Sequence, residues 1–232
     1  MSKTPIRDVK EAPPGLALFD LDNTLLAGDS DYAWGQFLVE IGVVDARAYE
    51  AANERFYRQY QQGELDIHEF AAFAFRPLVD NERDQLLRWR ERFMEEKIRP
   101  IMLDKGRETI EEHRQRGDQI VIISATNSFI TRPIAQAFGV DHLLATEPEE
   151  RDGRWTGRIA GIPCFQHGKV ERLAEWLHQT GLNLDNSWFY SDSHNDIPLL
   201  EQVTHPIAVD PDDALAETAR QRGWTITSFR HV

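Results

Sequence analysis

Apolar positions follow three successive patterns along this chain. Leu16 to Asp20 opens with a continuous apolar run and predicts a buried strand that ends in two carboxylates one residue apart, Asp20 and Asp22. The period then becomes helical for about seventy residues. Ala33, Phe37, Leu38 and Ile41 predict a first helix ending at Gly42. Tyr49, Ala52, Phe56, Tyr57 and Tyr60 predict a second, stopped by Gly63. Asp66 with Glu69 forms a capping-box pattern that opens a third helix through Ile67, Phe70, Ala71 and Phe73, closed by Pro77. Asn81 is placed to cap a fourth, with Leu86, Leu87, Arg90, Phe93 and Met94, ending near Arg99-Pro100.

From Asp104 onward helices and strands alternate. A charged amphipathic helix to Arg116 precedes the β-branched run Gln119–Ile123, a buried strand that leads into Ser124-Ala125-Thr126-Asn127 and a helix to Gly139. A short strand is expected from His142 to Ala145, and Asp152-Gly153 signals a hairpin within the alternating stretch Arg151–Ile159. Further strands are expected at Ser187–Tyr190, Pro206–Val209 and Trp224–Ser228, with helices at Gly168–Thr180 and Asp213–Arg222. This rhythm predicts an α/β fold: a doubly wound parallel sheet with right-handed crossovers. The helical stretch reads as an insertion. Residues 1–26 and 100–232 would form the catalytic core and residues 27–99 a helical-bundle cap over it, with the aromatic stripes as the bundle's own core.

Composition narrows the functional classes. With 232 residues, 41% hydrophobic and 28% charged, the chain has the make-up of a globular domain with room for an insertion. A formal net charge of −13 argues against a nucleic-acid binder, which needs a basic face. It still allows a small anionic substrate held by a metal and a few local cations. The single cysteine, Cys164, cannot form an internal disulfide, and its setting beside Pro163 offers no base to activate it. The polar, proline-bearing start, Met1–Pro14, predicts a loose arm without a signal core, and no apolar run reaches membrane-span length. A cytoplasmic location is expected.

The strand ends carry the chemistry, because open α/β sheets bind ligands at the carboxyl ends of their strands. Asp20 is placed to act as a nucleophile that forms an aspartyl-phosphate, Asp22 to move protons at the leaving oxygen, and Thr24 to offer a hydroxyl to a phosphate oxygen. Ser124 and the N–H groups that follow it would meet a phosphate at a helix start. Lys169 lies in the first turn of a helix, where the dipole mildly disfavours a cation, which suggests a partner such as phosphate or Asp20. Asp192 and Asp196 close another strand. Carboxylates on two strand ends suit a hard divalent cation, Mg²⁺ above all.

In order, Asp20-Leu-Asp22-Asn-Thr24, Ser124, Gly168-Lys169 and Asp192-Ser-His-Asn-Asp196 resemble the four motifs of the haloacid dehalogenase-like phosphohydrolases. The resemblance spans Leu16 to Val209. The insertion point, Gly63-Glu-Leu65 and Tyr190-Ser-Asp192-Ser-His-Asn195-Asp196-Ile resemble the phosphoserine phosphatase-like branch. The resemblance implies Asp20 as nucleophile and Asp22 as the acid that protonates the leaving alkoxide and then activates water. It also implies Mg²⁺ on Asp20, the Asp22 carbonyl and Asp192, with Asp196 behind them. Thr24, Ser124, Ala125 and Lys169 would hold the phosphoryl group of a small phosphorylated metabolite.

Departures from the branch bear on the substrate. Asp29 stands where these phosphatases place a glutamate for the substrate ammonium. Their substrate-carboxylate arginine matches Ala74 here, with Arg76 the nearest cation, and their Ser-Gly-Gly is Ser124-Ala125-Thr126. Asp29 and Arg76 have a plain alternative as a helix cap and an exposed helix residue. The candidates are therefore an amino-acid or amino-alcohol phosphate, phosphoserine or histidinol phosphate. A phosphomutase and a non-catalytic binding protein are the alternatives. Residues 27–96 contain no lysine, which sets aside a Schiff-base phosphonate hydrolase.

Overall fold

The computed structural model describes residues 15–62 and 64–230. Seven strands form one sheet: β1 (Leu16–Phe19), β2 (Gln119–Asn127), β3 (His142–Arg151), β4 (Arg154–Ala160), β5 (Ser187–Ser191), β6 (His205–Val209) and β7 (Thr225–Thr227). Their order is β4-β3-β2-β1-β5-β6-β7, with every pair parallel except β3 with β4. β1 is central and buried along its whole length. The two-residue period sends Ala17, Phe19, Ile120 and Ile122 into one apolar cluster and Leu16, Leu18, Val121 and Ile123 into the other, so both sheet faces are covered. The chain winds from β1 to β2 and β3 on one side, then returns to β5 on the other side of β1. The crevice above the carboxyl ends of β2, β1 and β5 is where such a sheet binds ligands.

Two strands outrun their expected bounds. β3 continues to Arg151 and pairs with β4 as a hairpin whose two turn residues, Asp152 and Gly153, have φ of 50° and 77°. Positive φ at both positions matches the right-handed twist of the flanking strands, as the Asp-Gly pair predicts. β2 runs to Asn127, with a register shift against β3 between Ser124 and Asn127.

Between β1 and β2 the chain forms α1 (Ser30–Glu40), α2 (Ala46–Gln62), α3 (Ile67–Ala74), α4 (Arg76–Asp80) and α5 (Arg83–Phe93), then a π turn at Met94–Ile98 and a 3₁₀ turn at Arg99–Ile101. One expected helix is thus two. Pro77 does not close α3 but lies in the first turn of α4, where its missing N–H has no helical partner to lose. Asn81 closes α4 by donating to Pro77 O at 2.8 Å; Glu82 stands at the start of α5 without a side-chain cap bond. Asp66 caps α3 as its sequence predicts, accepting from the N–H groups of His68 and Glu69. Tyr57, assigned to the apolar stripe of α2, is 62% exposed, because its position turns away from the face that buries Tyr49 and Phe56. Gly63 and the Met1–Pro14 arm lie outside the described residues.

The two crossings into this insert meet in a short antiparallel bridge, Leu26 with Met102, where Ala27 N donates to Ile101 O and Leu103 N to Leu25 O. Trp34 of α1 packs on Phe129, with Phe37 of α1 and Phe93 of α5 against Trp34, so α1 and α5 share the core of the sheet. Phe129 belongs to α7 (Ser128–Ala137). The remaining helices flank the sheet: α6 (Asp104–Gln115), α8 (His167–Thr180), α9 (Ile197–Leu200) and α10 (Asp213–Arg222). Among the described residues no helix is long and apolar enough to cross a membrane.

Candidate active site

Asp20 follows β1 directly, and its N–H still pairs with Tyr190 O at 2.9 Å. Asn23, in left-handed backbone at φ 57°, turns the chain between Asp22, which meets Ser30 and Thr126, and Thr24, which meets Asp192. Lys169 reaches it from α8. Its Nζ is buried and donates to Asp20 Oδ1 at 2.8 Å and Asp196 Oδ2 at 2.7 Å. Gly168 is required for this approach, since a Cβ there would stand 2.0 Å from Pro163 O. Burial disfavours the ammonium, but the charges of Asp196 and Asp20 outweigh it and raise its pKa. Asp196 is further fixed by Ser191 Oγ at 2.7 Å. The mild dipole misfit of Lys169 therefore has its explanation in two carboxylates.

Asp22 sits in a different setting. It accepts from Ser30 N at 2.7 Å, Thr126 Oγ1 at 2.9 Å and Ser124 Oγ at 3.4 Å. Burial first, then the charge of Asp29, pushes its carboxyl up to about 6, with the Ser30 and Thr126 bonds pulling back. Burial pushes Asp20 up to about 7 against the pull of Lys169. Two neighbouring carboxylates thus have distinct surroundings, one bound to an ammonium and one to neutral donors, which is how acid and nucleophile roles are divided. Asp192 accepts from Thr24 Oγ1 at 3.1 Å, and burial with the nearby Asp20 and Asp196 charges raises it well above the usual carboxylate range. Thr24 is completely buried, so its hydroxyl orients Asp192 here instead of facing open crevice.

Asp20 and Asp196 share one ammonium while Asp192, close to both, is bonded to a neutral hydroxyl, an excess of negative charge that a hard cation would relieve. Among the described residues no three His, Cys, Asp or Glu side chains form a ready cage. Mg²⁺ needs none, since it keeps several waters and takes one or two carboxylates together with substrate phosphate. The donor set fits it.

The structure also redistributes several expected roles. Ser124 does not stand at a helix start, because β2 continues past it. Asn127 caps α7 instead, accepting from Ile130 N, while Ser124 Oγ takes Thr126 N at 3.1 Å. Ala125 is half-buried beside them. Arg76 is a surface residue, 79% exposed at its side chain and paired with Asp80. Asp29 is exposed at the crevice mouth and caps α1, its Oδ1 accepting from Tyr32 N at 2.9 Å. The carboxylate that turns inward is Asp31, two residues on. Its Oδ1 accepts from Asn127 Nδ2 at 3.3 Å, and it lines a narrow cavity with Ile67, Phe70, Ala74, Phe75 and Ala125. Burial foremost, then Asp29 and Asp22, pushes it up to about 8.

Thr126, bonded to Asp22, and Asp31, bonded to Asn127, are residues that the sequence motifs do not single out. Thr126 would have been found by extending β2 to the Asn127 cap; Asp31 carries no local signal. Cys164 is buried, with its thiol pushed up to about 12 by burial, and is no nucleophile. A roomier cavity of about 520 Å³, lined by Trp188, His205, Arg222 and Trp224, opens at the amino ends of β5–β7, remote from these carboxylates.

Comparison with known proteins agrees with this geometry. The family model of the haloacid dehalogenase-like hydrolases matches residues 17–201, and the chain belongs to that family. Within it, the chain is 43% identical to a histidinol-phosphatase of Neisseria meningitidis over 219 residues, 93% of this chain and 99% of that one. A crystal structure of a protein of unknown function from Bordetella pertussis superposes with a TM-score of 0.89 at 45% identity, covering 94% of this chain and all of the other. A substrate-bound phosphoserine phosphatase shares the fold, with a TM-score of 0.69 at 21% identity over 95% of both chains. The chain is thus a hydrolase of the haloacid dehalogenase-like family, built on the fold that phosphoserine phosphatase shares.

Proposed function

We propose that this protein is a Mg²⁺-dependent phosphatase that cleaves a small phosphomonoester through a phosphoaspartyl intermediate on Asp20, with an amino-alcohol phosphate, histidinol phosphate first, as substrate. The observation that carries the chemistry is the pairing of Asp20 and Asp196 on one buried Lys169 Nζ, beside an Asp22 bound to neutral donors. An Asp20 oxygen attacks phosphorus, the ester P–O bond breaks, and the leaving alkoxide takes the proton of Asp22. Ionised Asp22 then removes a proton from water. The water oxygen attacks phosphorus, the Asp20–phosphorus bond breaks, and inorganic phosphate leaves. Thr126 and Ser30 N hold Asp22 in place for both steps. Mg²⁺, held by Asp20, Asp192 and the Asp22 carbonyl, would supply positive charge for the phosphoryl oxygens. Lys169 favours the ionised form of Asp20 and orients it.

Selection falls to residues 27–99, acting as a cap over the crevice. Arg76 is committed to Asp80 at the surface, and the matching position, Ala74, lines the narrow cavity. Among the described residues that line this cavity none is cationic to meet a substrate carboxylate, whereas Asp31, with Asp29 nearby, would meet an amine or imidazolium. The 43% identity to a histidinol-phosphatase supports the same choice. The test is a panel of histidinol phosphate, phosphoserine, sugar and nucleotide monophosphates and an aryl phosphate, with Mg²⁺ and with EDTA. Histidinol phosphate should give the highest kcat/KM and Asp20→Asn none. Full turnover in EDTA, or a phosphoserine preference, would overturn the reading.

A further inference from the structure

Tyr60 lies near the end of α2, far along the insert from the bridge at Leu26. Its Oη is 2.8 Å from Ser193 Oγ, in the loop between Asp192 and Asp196. The phenol also neighbours Phe165 and His194, with ring centroids 6.2 and 6.3 Å away. The rest of α2 is held differently from α1 and α5. Its buried Tyr49 and Phe56 pack on Phe70 and Phe73 of α3, Tyr49 Oη donates to Tyr32 O of α1 at 3.4 Å, and neither ring joins the two main apolar clusters. The polar contact of Tyr60 at its far end therefore has leverage over where that end of α2 sits.

Ser193 is a junction. Its Oγ accepts from Asn195 N at 3.2 Å and Asn195 Nδ2 at 3.4 Å, and Asn195 Oδ1 accepts from Gln166 Nε2 at 2.8 Å. Gln166, at φ 47°, immediately precedes α8, which carries Lys169. Ser193 N also donates to Ser191 Oγ at 3.2 Å, and Ser191 Oγ donates to Asp196. From the Tyr60 hydroxyl, one route of hydrogen bonds ends on Asp196 and the other at the start of the lysine helix.

We propose that Tyr60 is a positioning residue: through Ser193 its phenol ties the placement of α2 over the crevice to the set of the Asp192–Asp196 loop, so that metal binding and cap closure favour one another. This rests on the phosphatase reading above. Linkage makes the coupling reciprocal. Metal bound at the loop should steady α2, and loss of the α2 contact should weaken the metal. A single hydrogen bond of this kind corresponds to about a two- to tenfold change in affinity.

The test uses the full chain with Mg²⁺ alone as ligand. Tyr60→Phe keeps the ring and removes the hydroxyl; Ser193→Ala removes its partner. Calorimetric titration should show Mg²⁺ affinity about two- to tenfold weaker in each variant, and the double variant no weaker than the poorer single one. Hydrogen–deuterium exchange of α2 amides should slow on adding Mg²⁺ to wild type and stay unchanged by Mg²⁺ in Tyr60→Phe. A purely structural role predicts a lower Tm with unaltered Mg²⁺ affinity. That result, or independent additive losses from the two substitutions, would overturn the proposal. Wild-type protein that binds no Mg²⁺ would instead overturn the phosphatase reading on which it rests.

Discussion

Lys169→Met removes the one ammonium shared by Asp20 and Asp196 while keeping the length of the side chain. Its Nζ is bonded at 2.8 and 2.7 Å to two carboxylates whose side chains are 10% and 3% exposed. Deleting one partner of a buried ionic network leaves uncompensated charge and costs about 3–5 kcal/mol. At about 2–4 °C per kcal/mol for a chain of this size, Tm should fall by roughly 6–20 °C. The penalty should also depend on pH. Asp20 has a folded-state pKa raised from 3.8 to about 7, so between those values the folded state holds more protons than the unfolded one, and its stability falls as pH rises. Without the ammonium the folded pKa climbs further and that window widens upward. The variant's penalty should therefore be at least about 1 kcal/mol larger at pH 8 than at pH 5. Urea unfolding of metal-free wild type and variant at both pH values measures this. A penalty under about 1 kcal/mol, or one indifferent to pH, would show that Lys169 does not neutralise these carboxylates.

Asp22→Asn should retain the fold and slow turnover by about 10²–10⁴-fold, as expected for a lost general acid–base, and a loss under about threefold would remove Asp22 from that role. Thr126→Val deletes a donor to Asp22 and should cost about ten- to a hundredfold in kcat/KM, with wild-type-like rates refuting the assignment. Asp31→Asn should lower kcat/KM for histidinol phosphate about ten- to a hundredfold and leave an aryl phosphate within about threefold. Asp29→Ala, at the exposed cap position, should change the ratio of the two substrates less; a larger effect at Asp29 would return the amine site to that residue.

What the sequence determined by itself is local. Leu16–Phe19 and Gln119–Ile123 could only be strands buried on both faces, because their apolar residues are continuous and too short for helices. Asp152-Gly153 could turn only one way, because two successive positive φ values suit those residue types. The ordered motifs placed Asp20, Asp22, Lys169, Asp192 and Asp196 at one crevice, since strand ends in such a sheet converge whatever lies between them. Boundaries were less legible. Ser124 looked like a helix start because Asn127, the residue that caps α7, also fits the end of a strand. The rest depended on contacts between residues distant in sequence. Asp29 and Asp31 are equivalent by type and nearly so by position, and a turn of α1 decides which one caps and which one faces Asn127, 96 residues away. Tyr60 belongs to an apolar stripe by spacing, yet its hydroxyl meets Ser193 across 133 residues. No period or motif encodes such pairings; they exist only once the insert has folded back over the sheet.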